Sequence, residues 1–168
     1  MRLRSVVALL FLSVVAVPAH AQDIKAIVVK HLTTSRDFTL KVAEQMPEAD
    51  YGFKLTPPQM SFGEQMAHLA AEQAGLLSPI TGATPKQTKP ASMNKKDVIA
   101  FVRQSFDQSI ATVSKLTPEQ IAKTYKGYEG TTTGLDALMF LMDHTTHHRA
   151  SAEMYLRAKG ITPAEYQF

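Results

Sequence analysis

The chain has 168 residues, 45% of them hydrophobic and 20% charged, which is the make-up of one globular domain around a single core. It contains no cysteine, so disulfides, a thiolate nucleophile and any Cys-based zinc or iron–sulfur site are excluded, and a metal would have to be held by His, Asp or Glu. Of its 18 Lys and Arg, Arg2 and Arg4 fall in an N-terminal leader; the remainder nearly balances the 15 Asp and Glu, and no basic cluster interleaved with aromatics is left to suit nucleic acid.

The leader is Met1 to Ala21. Arg2 and Arg4 precede an apolar run from Val6 to Val17, and Pro18-Ala19-His20-Ala21 follows with small residues where a signal peptidase requires them. The run is well short of the ~20 residues of a spanning helix. The expectation is therefore a cleaved signal peptide over residues 1–21, a mature domain over 22–168, a periplasmic or secreted location and no stable membrane anchor after cleavage.

Four segments then carry helical periodicity, and none shows the sustained alternation of a half-buried strand, so the mature chain reads as all-α. The first helix runs from about Asp23 to about Met46, with Ile24, Ile27, Val28, Leu32, Phe38, Val42 and Met46 as its main apolar positions, and Pro47 stops it. The second starts at Ser61, where Ser61-Phe62-Gly63-Glu64 has the form of a capping box, and ends near Pro79 and Gly82. Gly82 to Ser92 is polar and reads as a surface crossover. The third helix spans about Lys95 to about Leu116, and Thr117-Pro118-Glu119 opens a short extra turn. Thr133 and Asp136 begin the fourth, which continues to Lys159 before Gly160 and Pro163. Amphipathic helices of this length bury their stripes against one another, so the expected architecture is a four-helix bundle with a crossover connection.

His144, His147 and His148 cluster on the fourth helix. Positions four apart lie about 40° apart around a helix axis, so His144 and His148 point the same way. Ala137, Leu141, Ala152 and Tyr155 occupy the same sector, which puts the pair on the buried stripe. A buried imidazole without partners costs roughly 1–3 kcal/mol, and a metal satisfies two at once. His147 lies about 100° from His148 and suits a supporting or packing role.

A third ligand has to come from another helix. His68, flanked one turn away by Glu64 and Glu72, is better placed than His31, which has no carboxylate at that spacing. Glu64 and Glu72 are candidates to orient His68, although Glu64 is also the reciprocal half of the capping box. Asp143 and Arg149 read as surface or helix-packing groups. Three imidazoles leave a coordination position open for water, the pattern of catalytic zinc sites, and a water so bound is the candidate nucleophile. Zinc is the expected metal; nickel, iron and copper also suit imidazole. No Glu lies between His144 and His148 as in a zincin helix, and paired Glu-x-x-His motifs are absent, so the centre is expected to be mononuclear.

Asp50-Tyr51-Gly52-Phe53 with Pro57-Pro58, then Ser61-Phe62-Gly63-Glu64 and His68, resembles the N-terminal signature of the DinB/YfiT-like family. Asp143-His144-Thr145-Thr146-His147-His148-Arg149, followed by Tyr155-Leu156-Arg157, Gly160-Ile161 and Pro163, resembles that family's last helix and exit. The resemblance implies a four-helix bundle with a three-His metal site formed by His68, His144 and His148. Family members include thiol-dependent S-transferases and a maleylpyruvate isomerase of related fold. The family motif often continues with Gly-Gln where this chain has Ala150-Ser151, and an exported member would not meet cytosolic thiols; both weaken a transferase reading. The expected function is a metal-dependent hydrolase or transferase acting on a small molecule, the alternative a non-catalytic metal-binding or stress-associated bundle. A homodimer is left open.

Overall fold

A computed structural model of the protein describes residues 24–84, 86–127 and 130–167; the expected signal peptide, residues 1–21, lies outside the described residues. Four long helices make up the body: α1 (Ile24–Gln45), α2 (Phe62–Thr81), α3 (Lys95–Val113) and, after a short α4 (Pro118–Ala122) and a two-stranded hairpin, α5 (Gly134–Ala158).

The starts of α2, α3, α4 and α5 are each set by a side chain that serves an otherwise orphaned backbone N–H. At α2 the Glu64 N–H donates to Ser61 Oγ (3.2 Å) and the Ser61 N–H to Glu64 Oε2 (2.6 Å), the expected capping box. Thr133 and Asp136 form another at α5, and Thr117 and Gln120 a third at α4. Asn94 caps α3 by accepting from the Asp97 N–H at 2.8 Å. Pro79 sits inside the last turn of α2 without ending it: the Gly75 carbonyl, which a proline nitrogen cannot serve, accepts instead from Ser78 Oγ at 2.7 Å. The helix ends at Gly82, in the left-handed region at φ 66°.

Among the described residues the chain is not wholly helical. Thr124–Gly127 (β1) and Gly130–Thr133 (β2) pair antiparallel, Thr124 opposite Thr133 and Gly127 opposite Gly130. Strands this short cannot display an alternating pattern, and the β-branched threonines that favour them are equally at home in a loop. The hairpin delivers α5 tightly against α4: the Gly134 N–H donates to the Lys123 carbonyl, and a Cβ on Gly134 would lie 2.3 Å from the Gln120 carbonyl oxygen.

α2 packs on α5 and α3, and α1 packs on α3 and α5, so the order around the bundle is α1, α3, α2, α5. The polar stretch after Gly82, read as a crossover, therefore joins neighbours. The diagonal steps are made by the segment from Met46 to Ser61 and by the segment holding α4 and the hairpin.

Two apolar clusters fill the interior. Phe38, Met46, Phe62, Met66, Leu69, Phe101, Phe106 and Tyr155 belong to one, and Val28, Leu32, Leu77, Val113, Leu138 and Leu141 to the other. On α5 they divide between Leu141 and Ala152, and on α2 between Ala70 and Leu77. The histidines of α5 lie in that gap, and fully buried Gln73 occupies the matching gap on α2.

Candidate metal centre

His144 and His148 stand one turn apart on α5 with ring centroids 4.5 Å apart. Across the α2–α5 seam, the His68 ring centroid lies 4.5 Å from that of His148 and 5.2 Å from that of His144. One nitrogen from each ring can be chosen so that all three lie within 4.8 Å of one another. Ligand nitrogens ~2.0–2.1 Å from a tetrahedral zinc are roughly 3.4 Å apart, so small side-chain rotations close the set on one ion. Among the described residues this is the one group of three or more His, Asp or Glu side chains so arranged.

The surroundings fit an imidazole-bound cation. The His148 Nδ1–H donates to Gln65 Oε1 on α2 at 2.7 Å, which leaves Nε2 carrying the lone pair a metal needs. His144 Nδ1 is buried and has no protein hydrogen-bond partner. A buried ring nitrogen in that state asks for a ligand or water. His68 Nδ1 lies 4.0 Å from Glu72 Oε1, and its side chain is 32% exposed, so the site opens to solvent on the α2 side. Half-exposed Phe140 stands over the rim with its ring 6.2 Å from that of His144.

Electrostatics point the same way. Burial, reinforced by the neighbouring imidazoles His144, His68 and His147, pushes His148 down to about 4. Burial also lowers His144, with His68 adding to the effect and Glu72 opposing it. Rings held neutral keep their lone pairs available for coordination.

Of the supporting residues expected from sequence, Glu72 and His147 stand beside the triad and Glu64 does not. His147 is exposed and sets its ring edge-on to His148, with centroids 4.9 Å apart. The Glu64 carboxylate is taken up by the Ser61 cap and by Lys54 at 3.5 Å, and the Ser61 hydrogen bonds hold it below its ordinary range. Gln65 is the supporting residue that sequence reasoning missed; its three-residue offset from His68 was the available signal. Arg149 is neither a surface group nor a plain packing group: it is 4% exposed and faces α1, bonding Ser35. His31 lies away from the triad, beside that arginine's cavity.

The DinB family profile matches residues 21–168. Among solved structures the chain is similar to a DinB-like protein of Bacillus subtilis, YjoA, with 21% identity, a TM-score of 0.69, and 83% of this chain and 96% of that one covered. A DinB-like protein of Bacillus cereus is 17% identical with a TM-score of 0.72, covering 83% and 95%. YfiT of Bacillus subtilis, described as a probable metal-dependent hydrolase with an unusual four-helix bundle topology, is 14% identical with a TM-score of 0.64, covering 86% and 93%. No curated protein matches the sequence. From the profile match over nearly the whole described chain, with the bundle these structures share, the protein belongs to the DinB family.

Proposed function

We propose that this protein is an exported metal-dependent enzyme of hydrolytic type, acting on a small molecule, with one divalent transition ion held by His68, His144 and His148. The observation that carries the reading is the convergence of three imidazoles from two helices on one point, one of them with a buried, unpartnered nitrogen. All-nitrogen ligation favours zinc, nickel, copper or iron over magnesium or calcium, and zinc is the expected occupant. With an ion bound there, the site would supply Lewis-acid polarisation of a carbonyl or phosphoryl oxygen, or a water made acidic near neutrality.

The protein's own groups divide the remaining work. Gln65 fixes the tautomer and tilt of His148 from α2. Glu72, 4.0 Å from His68 Nδ1, puts a carboxylate at the open side of the triad where it can accept a proton. Phe140 offers an apolar ledge against which a substrate can lie. YfiT, a structural neighbour described as a probable metal-dependent hydrolase, supports the reaction class. Export rests on the leader at residues 1–21, and no described helix is long and apolar enough to cross a membrane.

The test is turnover of a panel of small esters, amides and phosphoesters by zinc-loaded protein and by His144→Ala. Hydrolysis of at least one class that disappears in the variant supports the enzyme. A saturable rise in melting temperature with zinc but no turnover on any class would favour the non-catalytic metal-binding bundle instead.

A further inference from the structure

A buried charge sits on the other side of α5 from the imidazoles. Successive residues on a helix point about 100° apart, so while His148 meets α2, Arg149 meets α1. Its Nη1 donates to Ser35 Oγ at 2.6 Å and its Nη2 to Thr146 Oγ1 at 3.5 Å, and the guanidinium lies over the Phe38 ring, 4.7 Å from the centroid. All three partners are neutral. Nε is buried with no partner, and among the described residues no carboxylate forms an ion pair with this arginine. The acid acting on it most strongly, Glu153, is one turn further along α5 and does not reach it. An arginine this deeply buried ordinarily has an anion against it, because its desolvation is otherwise uncompensated.

The same guanidinium lines a cavity of about 190 Å³ between α1 and α5, walled also by His31, Thr34, Ser35, Thr146 and Tyr166. At roughly 30 Å³ per water, that is room for a molecule of a few heavy atoms. The hydroxyls of Thr34, Ser35 and Thr146 together with the guanidinium form a donor-rich wall matched to an oxyanion. We propose that this cavity binds a small organic monocarboxylate, with Arg149 as its counter-ion. One buried positive charge balances one negative charge, whereas a phosphate dianion would leave an excess beside Glu153. The site is separate from the three-His centre and does not rest on the enzymatic reading.

The test is the melting temperature of the full chain against sodium acetate, with sodium chloride at equal ionic strength as control and inorganic phosphate as the comparison anion. Metal-loaded and chelator-treated protein are measured in parallel. Acetate should raise the melting temperature saturably in both, and His144→Ala should keep the response. Arg149→Met should weaken acetate binding by about tenfold or more, the loss of a charged hydrogen-bonding partner. Should Arg149→Met not fold, Thr34→Leu, which fills the cavity and leaves the arginine in place, must abolish the response. No saturable effect of acetate, an unchanged response in Arg149→Met or Thr34→Leu, loss of the response in His144→Ala, or tighter binding of phosphate than of acetate would each overturn the proposal.

Discussion

Gln65 on α2 and His148 on α5 are joined by a 2.7 Å hydrogen bond that crosses the seam where the three imidazoles meet. The bond ties the orientation of an α5 ring to the helix that carries His68. Replacing Gln65 with Leu keeps the bulk and removes the acceptor, leaving His148 free to tilt and to change tautomer. Zinc affinity in competition with a chromophoric chelator should fall by about 10–100-fold, the usual effect of losing such a partner. Gln65→Glu, which restores an acceptor, should recover most of it. An unchanged affinity in Gln65→Leu would mean that the bond does not orient the ring.

The histidines also set a pH dependence for the metal-free protein. His148 is held down to about 4 and His144 below its ordinary value, both chiefly by burial. In the unfolded chain each titrates near ~6.5. Below that value the unfolded state takes up protons that the folded state refuses, so stability present above pH ~6.5 is lost as pH falls toward about 4. Urea midpoints of chelator-treated protein should decline over this window, and His148→Leu should decline less steeply. Parallel profiles for the two proteins would contradict the assignment.

The capping box should be separable from the site. Ser61→Ala removes the acceptor for the Glu64 N–H and should cost about 1 kcal/mol in denaturant unfolding. Zinc stoichiometry should stay unchanged in Ser61→Ala and in Glu64→Gln, because the Glu64 carboxylate is engaged by Ser61 and Lys54. Loss of zinc from Glu64→Gln would return that residue to the centre.

Gly134 should tolerate no side chain. A methyl there would meet the Gln120 carbonyl at 2.3 Å and the Ile121 backbone at 2.8 Å, so α5 and α4 would have to part. Gly134→Ala should destabilise by about 1–3 kcal/mol or more, as overpacking does, despite the better helix propensity of alanine. A neutral or stabilising effect on the urea midpoint would show that the hairpin yields easily.

Much of this arrangement was legible from spacing alone. Ser61 with Glu64 and Thr133 with Asp136 announced two helix starts, and the four-residue step from His144 to His148 placed both rings on one face. What escaped depended on contacts between elements far apart in the chain. Glu64 and Glu72 are symmetric about His68 in sequence, and only the demand of the cap on Glu64 breaks the symmetry. Arg149 looks like any charged helix residue until α1 brings Ser35 and Phe38 onto it. The strands Thr124–Gly127 and Gly130–Thr133 are too short to show a period, and the close approach of α5 to α4 that follows them is visible only at Gly134.

The proposed signal peptide and export are tested by intact-mass analysis of the protein made in its native host, which should give a chain beginning at Gln22. A chain that retains Met1 to Ala21 would contradict cleavage.

Metal content of the purified protein, determined by elemental analysis beside single alanine variants at His31, His68, His144, His147 and His148, tests the central claim most directly. The account predicts about one divalent transition ion per chain, lost in His68→Ala, His144→Ala and His148→Ala and kept in the other two. Full metal content in any of those three, or loss in His31→Ala, would contradict a centre shared between α2 and α5.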